Sequence, residues 1–373
     1  MFFESFDIAR IINWAVAHHT PSSGLWLFVA EKNQAQLPTL LQALKQANIP
    51  CFGGTFMRLI VGHKTVEQGC AVARLDLWRS PFVVHDLHRT DFSLEHLPRR
   101  EELPENHTLV VLADADALYL ADFFTQLYHR FGNRVQYLGG GAGILGAETA
   151  QQRQCVFTSE KGMIANAAVL ALVAQPCVVG AHHGWERLHG PLLATRSEGK
   201  ILHELNWQPA FEVYRQVVEA QINQPLHPKD LGSRLSHGFP LGMLQQGAED
   251  IVRLPSTVTE DGGMVCIGGI QANSVVHILH GQPQSVVQAA DKTLASCKSQ
   301  ISSPPNCHIV VNCVTRYWFL EDLGAEELAT IHRGLTSVES APMIGALFKG
   351  EIASDGRSSL AMLNKSLAIG SFM

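Results

Sequence analysis

Residues 50–60 read PCFGGTFMRLI, and residues 342–352 read PMIGALFKGEI. Proline, two apolar residues, glycine, a small residue, then Phe56 or Phe348 and Ile60 or Ile352 recur in register. Such self-similarity marks an internal repeat of one supersecondary unit. Upstream of the first copy, residues 25–29 (LWLFV) read as a strand, and Leu37, Leu40, Leu41 and Leu44 have helical spacing. Strand, helix, strand and glycine corner together make a βαβ unit, because parallel strands need such a crossover. A further unit runs from a strand at 109–113 through a helix at 119–131 and a strand at 135–138 to Gly139-Gly140-Gly141. Another runs from 308–311 through 324–335 to Met343-Ile344 and Gly345-Ala346. The expected fold is α/β, with two pseudo-repeated lobes of mixed β-sheet and flanking helices. Glycine-rich strand ends meeting at a site would explain the repeat; so would an old duplication kept because strand–glycine corners pack well.

The remaining chain fits a large α/β protein. Its 373 residues are 46% hydrophobic and 17% charged, as in a packed globular protein. Net charge is −6 with no long basic run, which argues against nucleic acid as a partner. Glu4, Asp7 and Arg10 interrupt the apolar N-terminus, so residues 1–24 read as an amphipathic helix and its turn. No membrane span is expected. Eight scattered cysteines form no C-x-x-C pair, and reduced thiols in a cytoplasmic protein follow. Residues 223–237 are polar with two prolines and read as a linker, dividing a first domain (25–222) from a second (223–373).

The stretch 177–191, CVVGAHHGWERLHGP, holds the candidate chemistry. Val178 to Ala181 read as a buried strand with two histidines on its end. Alternation along a strand points His182 and His183 to opposite faces. Gly184 beside Trp185 would let the backbone approach something flat while the indole covers it. A neutral imidazole there suits an axial iron ligand or a hydrogen bond to a small molecule, and equally a core histidine satisfied by a carbonyl.

Other motifs carry less. Gly141, Gly143 and Gly146 match a dinucleotide fingerprint, but the helix they should open (147–154) has no apolar stripe, so a glycine corner is the better reading. Walker A, G-x-S-x-G and H-E-x-x-H are absent. Cys177 and His183 lie about 20 Å apart along one strand, too far for a thiolate–imidazole pair. Asp114 and Asp116 follow a strand and read as an Asx turn capping the next helix. Arg316 could pair with an anion or with a carboxylate.

Several motifs together resemble the FIST family of signal-transduction sensory proteins, built from a FIST N and a FIST C region. The resemblance rests on IPCFGG at 49–54, His183-Gly184-Trp185, ELNWQPAFEVY at 204–214, Pro240-Leu241-Gly242, Ile251-Val252-Arg253, Asn312-Cys313, Arg316, IGALFKGEI at 344–352, and Asn364 in MLNKSLAIG. It spans residues 25–369. FGGTF at 52–56 is similar to a subgroup of haem-binding nitric-oxide sensors that regulate a separate histidine kinase. The resemblance thus implies a non-enzymatic cytoplasmic sensor with haem b, nitric oxide as ligand and a histidine kinase as partner, and it is compatible with a homo-oligomer. The HGW motif would place the iron on His183, with His182, Gly184 and Trp185 beside it; the doubled histidine keeps His182 open. The alternative is a haem-free sensor of an amino acid or similar solute, with Arg316 and Glu351 holding its charges. Trp207 stands where many relatives carry glycine, either lining a pocket or covering a helix start.

Overall fold

A computed structural model describes the chain apart from residues 106, 145, 148–152, 246, 337–340 and 355–359. Three βαβ units form three mixed sheets. The parallel pairs are Ser23–Ala30 with Cys51–Phe56, His107–Asp114 with Val135–Ala142, and Cys307–Cys313 with Met343–Phe348. Their crossovers contain the helices Leu37–Gln46, Leu120–Phe131 and Leu323–Thr336. Each first strand also pairs antiparallel with a later strand of its own unit: Cys70–Asp76, Ala168–Val173 and Leu367–Phe372. The mixed α/β architecture expected from the repeat is what the structure shows.

The three units exchange strands in a closed ring. The chain leaving Cys51–Phe56 forms Leu59–Val61, which pairs with Met343–Phe348 of the third unit. The strand Glu351–Ser354, just beyond that, pairs with Val135–Ala142 of the second unit. Val156–Thr158, downstream of the second unit's glycines, pairs with Cys51–Phe56 of the first. Residues 50–60 and 342–352 are thus the same strand–corner–strand element. At each corner one glycine faces its parallel neighbour: Gly53 opposite Leu27, Gly139 opposite Val111, Gly345 opposite Val310. A Cβ on any of them would strike that neighbour's carbonyl oxygen.

Alternation then builds the core. Trp26 and Phe28, Val110 and Leu112, and Ile309 and Val311 point inward to one core shared by all three sheets. Leu25, Leu27 and Val29 point outward to Leu40 and Leu44, Val111 to Phe123 and Leu127, and Val310 to Leu328 and Ile331. Period-two patterning thus gives every sheet two apolar faces. Phe56 and Phe348, from two corners, meet in the centre with ring centroids 4.5 Å apart.

A fourth, antiparallel sheet comprises seven strands between Glu186 and His280. The helix Ala210–Ile222 packs on it through buried Phe211, Tyr214 and Val218, and the Tyr214 hydroxyl donates to the Phe239 carbonyl (2.7 Å). Pro209 is the N-cap of that helix, where its missing N–H costs nothing. Trp207 neither lines a pocket nor covers the helix start. It is 76% exposed on a hairpin tip, with Asn206 and Trp207 both in the left-handed region (φ 51° and 61°). Among the described residues no helix is long and apolar enough to cross a membrane.

Candidate functional site

The chain leaves the third sheet at His182, the end of the strand Cys177–His182, and enters the antiparallel sheet at Glu186. Residues 183–185 therefore lie where the two bodies join. Gly184 turns the chain (φ 85°), and its missing Cβ lets the helix Pro283–Lys298 approach; an added Cβ would lie 2.9 Å from Ala289 Cβ and Val286 Cα. The close approach that Gly184 permits is made by this helix. Trp185 is buried on Gly281, and its indole N–H donates to the His237 carbonyl (3.3 Å).

Strict alternation of the two histidines ends with the strand. Both approach Glu249: His182 Nδ1 lies 3.1 Å from Oε1, and the His183 backbone N–H donates to Oε2 (2.9 Å). Burial pushes the Glu249 carboxyl up, but the His182 hydrogen bond and the His183 ring and backbone outweigh it and hold it at about 2. Next door, Asp250 accepts from Arg187 (3.0 and 2.6 Å) and lies 2.7 Å from His277 Nδ1. Two adjacent carboxylates thus clasp the crossing strand to the antiparallel sheet.

The residues do not fit an axial iron site. His183 Nδ1 accepts the Trp185 backbone N–H (2.9 Å), which leaves the proton of the neutral ring on Nε2. Nε2 itself is enclosed, 3.6 Å from Glu249 Oε2. Burial, and then Arg316, hold the ring below the usual histidine range. His182 is engaged at both nitrogens, with Nε2 3.2 Å from Ser296 Oγ. Neither histidine presents a free lone pair to a planar slot.

Behind His183 lies a fully buried polar cluster. Arg316 is on the short helix Val314–Leu320, directly after the strand Cys307–Cys313, and all five of its N–H donors are used. Nε and Nη2 donate to Glu327 Oε1 (2.9 and 2.6 Å), Nη2 also to the Val286 carbonyl (2.6 Å). Nη1 donates to the carbonyls of His183 and Lys365. Asn312 Nδ2 donates to Glu327 Oε2 (3.0 Å), and Glu351 Oε2 accepts the Ser366 N–H (3.0 Å). Of the two charges expected to hold a solute, Arg316 is therefore committed inside the protein; Glu351 keeps one oxygen free.

Four atoms of this network have no hydrogen-bond partner: Lys365 Nζ, Glu351 Oε1, Asn312 Oδ1 and His183 Nε2. Among the described residues only six buried side-chain polar atoms are so placed, and these are four of them. An unpaired buried polar group costs roughly 1–3 kcal/mol, so these four atoms are the unspent hydrogen-bonding capacity of the cluster. Lys365 is strained as well, in the left-handed region at φ 56°. Its ammonium lies 4.9 Å from the Trp185 ring centroid and 5.4 Å from that of Phe319. Burial lowers it to about 7, with Arg316 adding to the effect against Cys313 and Glu351. Burial raises the Glu351 carboxyl well above its ordinary value, and the neighbouring Cys313 thiol adds to that. An amine and a carboxyl are thus both drawn toward their neutral forms.

Lys365, Asn312 and Glu327 are not among the candidate residues read from sequence. Glu327 was detectable, since it shares the helix stripe of Gly324, Leu328, Ile331 and Leu335, all buried. Asp114 forms the expected Asx turn with Asp116 N–H (3.1 Å), but the helix Leu120–Phe131 has no side-chain cap. At the fingerprint glycines, Val135–Ala142 ends in a corner where Gly143 bridges Phe56; residues 148–152 of the expected helix lie outside the described residues.

The FIST N domain model matches residues 24–208, and the FIST C domain model matches residues 210–354. The boundary between them falls at the N-cap of the helix Ala210–Ile222. No curated protein matches the chain.

Proposed function

We propose a function that starts from one premise: the chain belongs to the FIST family, whose domains are small-ligand sensors in signalling proteins. On this reading it is a cytoplasmic, haem-free sensor of a small polar solute, an amino acid or a compound of similar size. The observation that carries it is that four of the six unpaired buried side-chain atoms among the described residues belong to the one polar network at this junction. Lys365 Nζ and His183 Nε2–H supply donors, Asn312 Oδ1 supplies an acceptor, and Glu351 Oε1 donates when protonated and accepts when ionised. A solute carrying both acceptor and donor groups complements that set. Arg316 is a positioning residue that links the cluster to the His183 carbonyl and so to the Glu249 clasp. Occupancy would then bias the junction and be read by a separate signalling partner, for which a histidine kinase is the proposed class.

The test is a thermal-shift screen of amino acids and small organic acids on the wild type and on Lys365→Met. A solute that raises the melting temperature of the wild type only is expected. Protein purified with haem supplied should show no Soret band. A Soret band that moves with nitric oxide and disappears in His183→Ala would replace this reading with a haem-based one.

A further inference from the structure

Lys365 is set apart from the other members of the cluster by what surrounds it. Its terminal nitrogen is enclosed, faces two aromatic rings, and has among the described residues neither a hydrogen-bond acceptor nor an ion-pair partner. An amine kept only for structure would be paired, as Lys32 is with Glu67 or Lys349 with Asp116. Here the backbone is held in a conformation unfavourable for lysine while Arg316 grips the Lys365 carbonyl at 3.1 Å. The strand start, the αL turn and the guanidinium fix where the amine begins, and the aromatic pair fixes where it ends. The neighbouring Glu351 carboxyl keeps one oxygen unpaired.

We infer that Lys365 is a carbonyl-capturing amine, and that the solute sensed at this site is a small aldehyde or 2-oxo acid held as a Schiff base. The inference rests on the small-solute reading above and names the chemistry of that solute. Near neutral pH a large share of the amine carries a free lone pair, because burial and the adjacent guanidinium disfavour its charged form. Nζ attacks the carbonyl carbon, the N–C bond forms, and one amine proton passes to the oxygen to give a carbinolamine. The Glu351 carboxyl, whose neutral form burial favours, gives a proton to that hydroxyl. The C–O bond breaks, water leaves, and an iminium and a Glu351 carboxylate remain. Amine, carbonyl and one proton become iminium and water, with no oxidant or reductant required. A site holding an iminium–carboxylate pair differs in charge distribution from an empty one, and Arg316 links it to the junction.

The full-length protein is incubated with glyoxylate or pyruvate at pH 7 and trapped with cyanoborohydride, and the modified lysines are located by peptide mass mapping. Lys365 should be labelled at least about tenfold faster than the exposed Lys64, because a lowered pKa leaves far more of it neutral. Lys365→Arg should lose the adduct while keeping its charge, and Glu351→Gln should slow its formation. The wild-type map decides the matter even if a variant fails to fold. Labelling confined to exposed lysines, with a solute still shifting the wild-type melting temperature but not that of Lys365→Met, would overturn the Schiff base and leave the sensor reading intact. No labelling and no shift with any solute would overturn both.

Discussion

The ends of the second and third units are built alike and finished differently. Their first strands carry the pairs Val111–Leu170 and Val310–Ile369 in the same register. Four residues before those partners stand Asn166 and Lys365, both with positive φ, 49° and 56°. The residue that follows accepts an equivalent backbone bond in each: Asp114 N–H to Ala167, and Cys313 N–H to Ser366. In the second unit the buried carboxylate Asp114 takes an N–H on each oxygen, from Asp116 (3.1 Å) and Asn166 (2.7 Å). In the third, Glu351 has one oxygen bonded and one idle, and a lysine occupies the asparagine's place. One copy has closed its polar end within itself. The other keeps open groups there, and the proposed solute site rests on them.

The largest effect should separate the two ends directly. Arg316→Met strands Glu327 and three backbone carbonyls in a dry interior, and breaking a buried ion pair costs about 3–5 kcal/mol. Asp114→Asn removes a charge but keeps an acceptor, and should cost roughly 1–3 kcal/mol. Denaturant unfolding measures both. Equal losses would mean that the third end is no more interdependent than the second.

Next come the corners, where the copies should agree. Gly53→Ala, Gly139→Ala and Gly345→Ala each drive a methyl into the carbonyl of the neighbouring strand, and such overpacking costs about 1–3 kcal/mol. Similar losses for Gly53→Ala and Gly345→Ala in urea melts, with a larger one for Gly139→Ala because its φ of 145° adds backbone strain, would locate the divergence at the strand ends alone. A tolerated Gly345→Ala would carry the divergence back into the repeat itself.

The corners were legible in sequence because a glycine opposite a carbonyl leaves a local trace, as did the leucine spacing of residues 37–44. The closed ring of strand exchange was not, since which sheet receives Leu59–Val61 is decided by residues almost 300 positions away. The candidate site was half legible. Glu351 and Arg316 stood out as charges in apolar surroundings, but donors and acceptors can be counted as spent only once the partners are placed. His183 shows the same limit: its motif gives a histidine beside Gly-Trp, while its poor fit to an iron ligand depends on the Trp185 N–H folding back onto Nδ1.

A smaller effect is pH-dependent. Lys365 sits at about 7 when folded against an ordinary value of 10.5. Between these values the folded protein binds fewer protons there than the unfolded chain, so stability rises with pH across that window. The wild type should therefore gain on Lys365→Met on the order of 1 kcal/mol per pH unit from pH 7 towards 10, measured as the difference between paired unfolding curves. Glu351 works in the opposite sense, losing stability as pH rises above the ordinary carboxylate range, but it is common to both proteins and largely cancels. A flat difference curve would mean that the amine is solvated or paired, and the contrast with Asn166 would shrink to one of side-chain size.

The smallest effect asks whether backbone strain by itself marks function. Trp207 shares the left-handed conformation of Lys365, but it is exposed on a hairpin whose two central residues both have positive φ. That turn favours glycine at its second position, because only glycine takes φ > 0 without a Cβ penalty. Trp207→Gly should relieve about 1 kcal/mol or less, partly offset by the freedom glycine gains in the unfolded chain. Lys365→Gly relieves comparable strain. The two changes should differ in what else they remove: the solute-dependent melting shift should survive in Trp207→Gly and vanish in Lys365→Gly. Loss of the shift in both would mean that the hairpin tip belongs to the sensing apparatus. Retention in both would move the solute away from Lys365, because the amine would then be no more than a side chain tolerated on a strained turn.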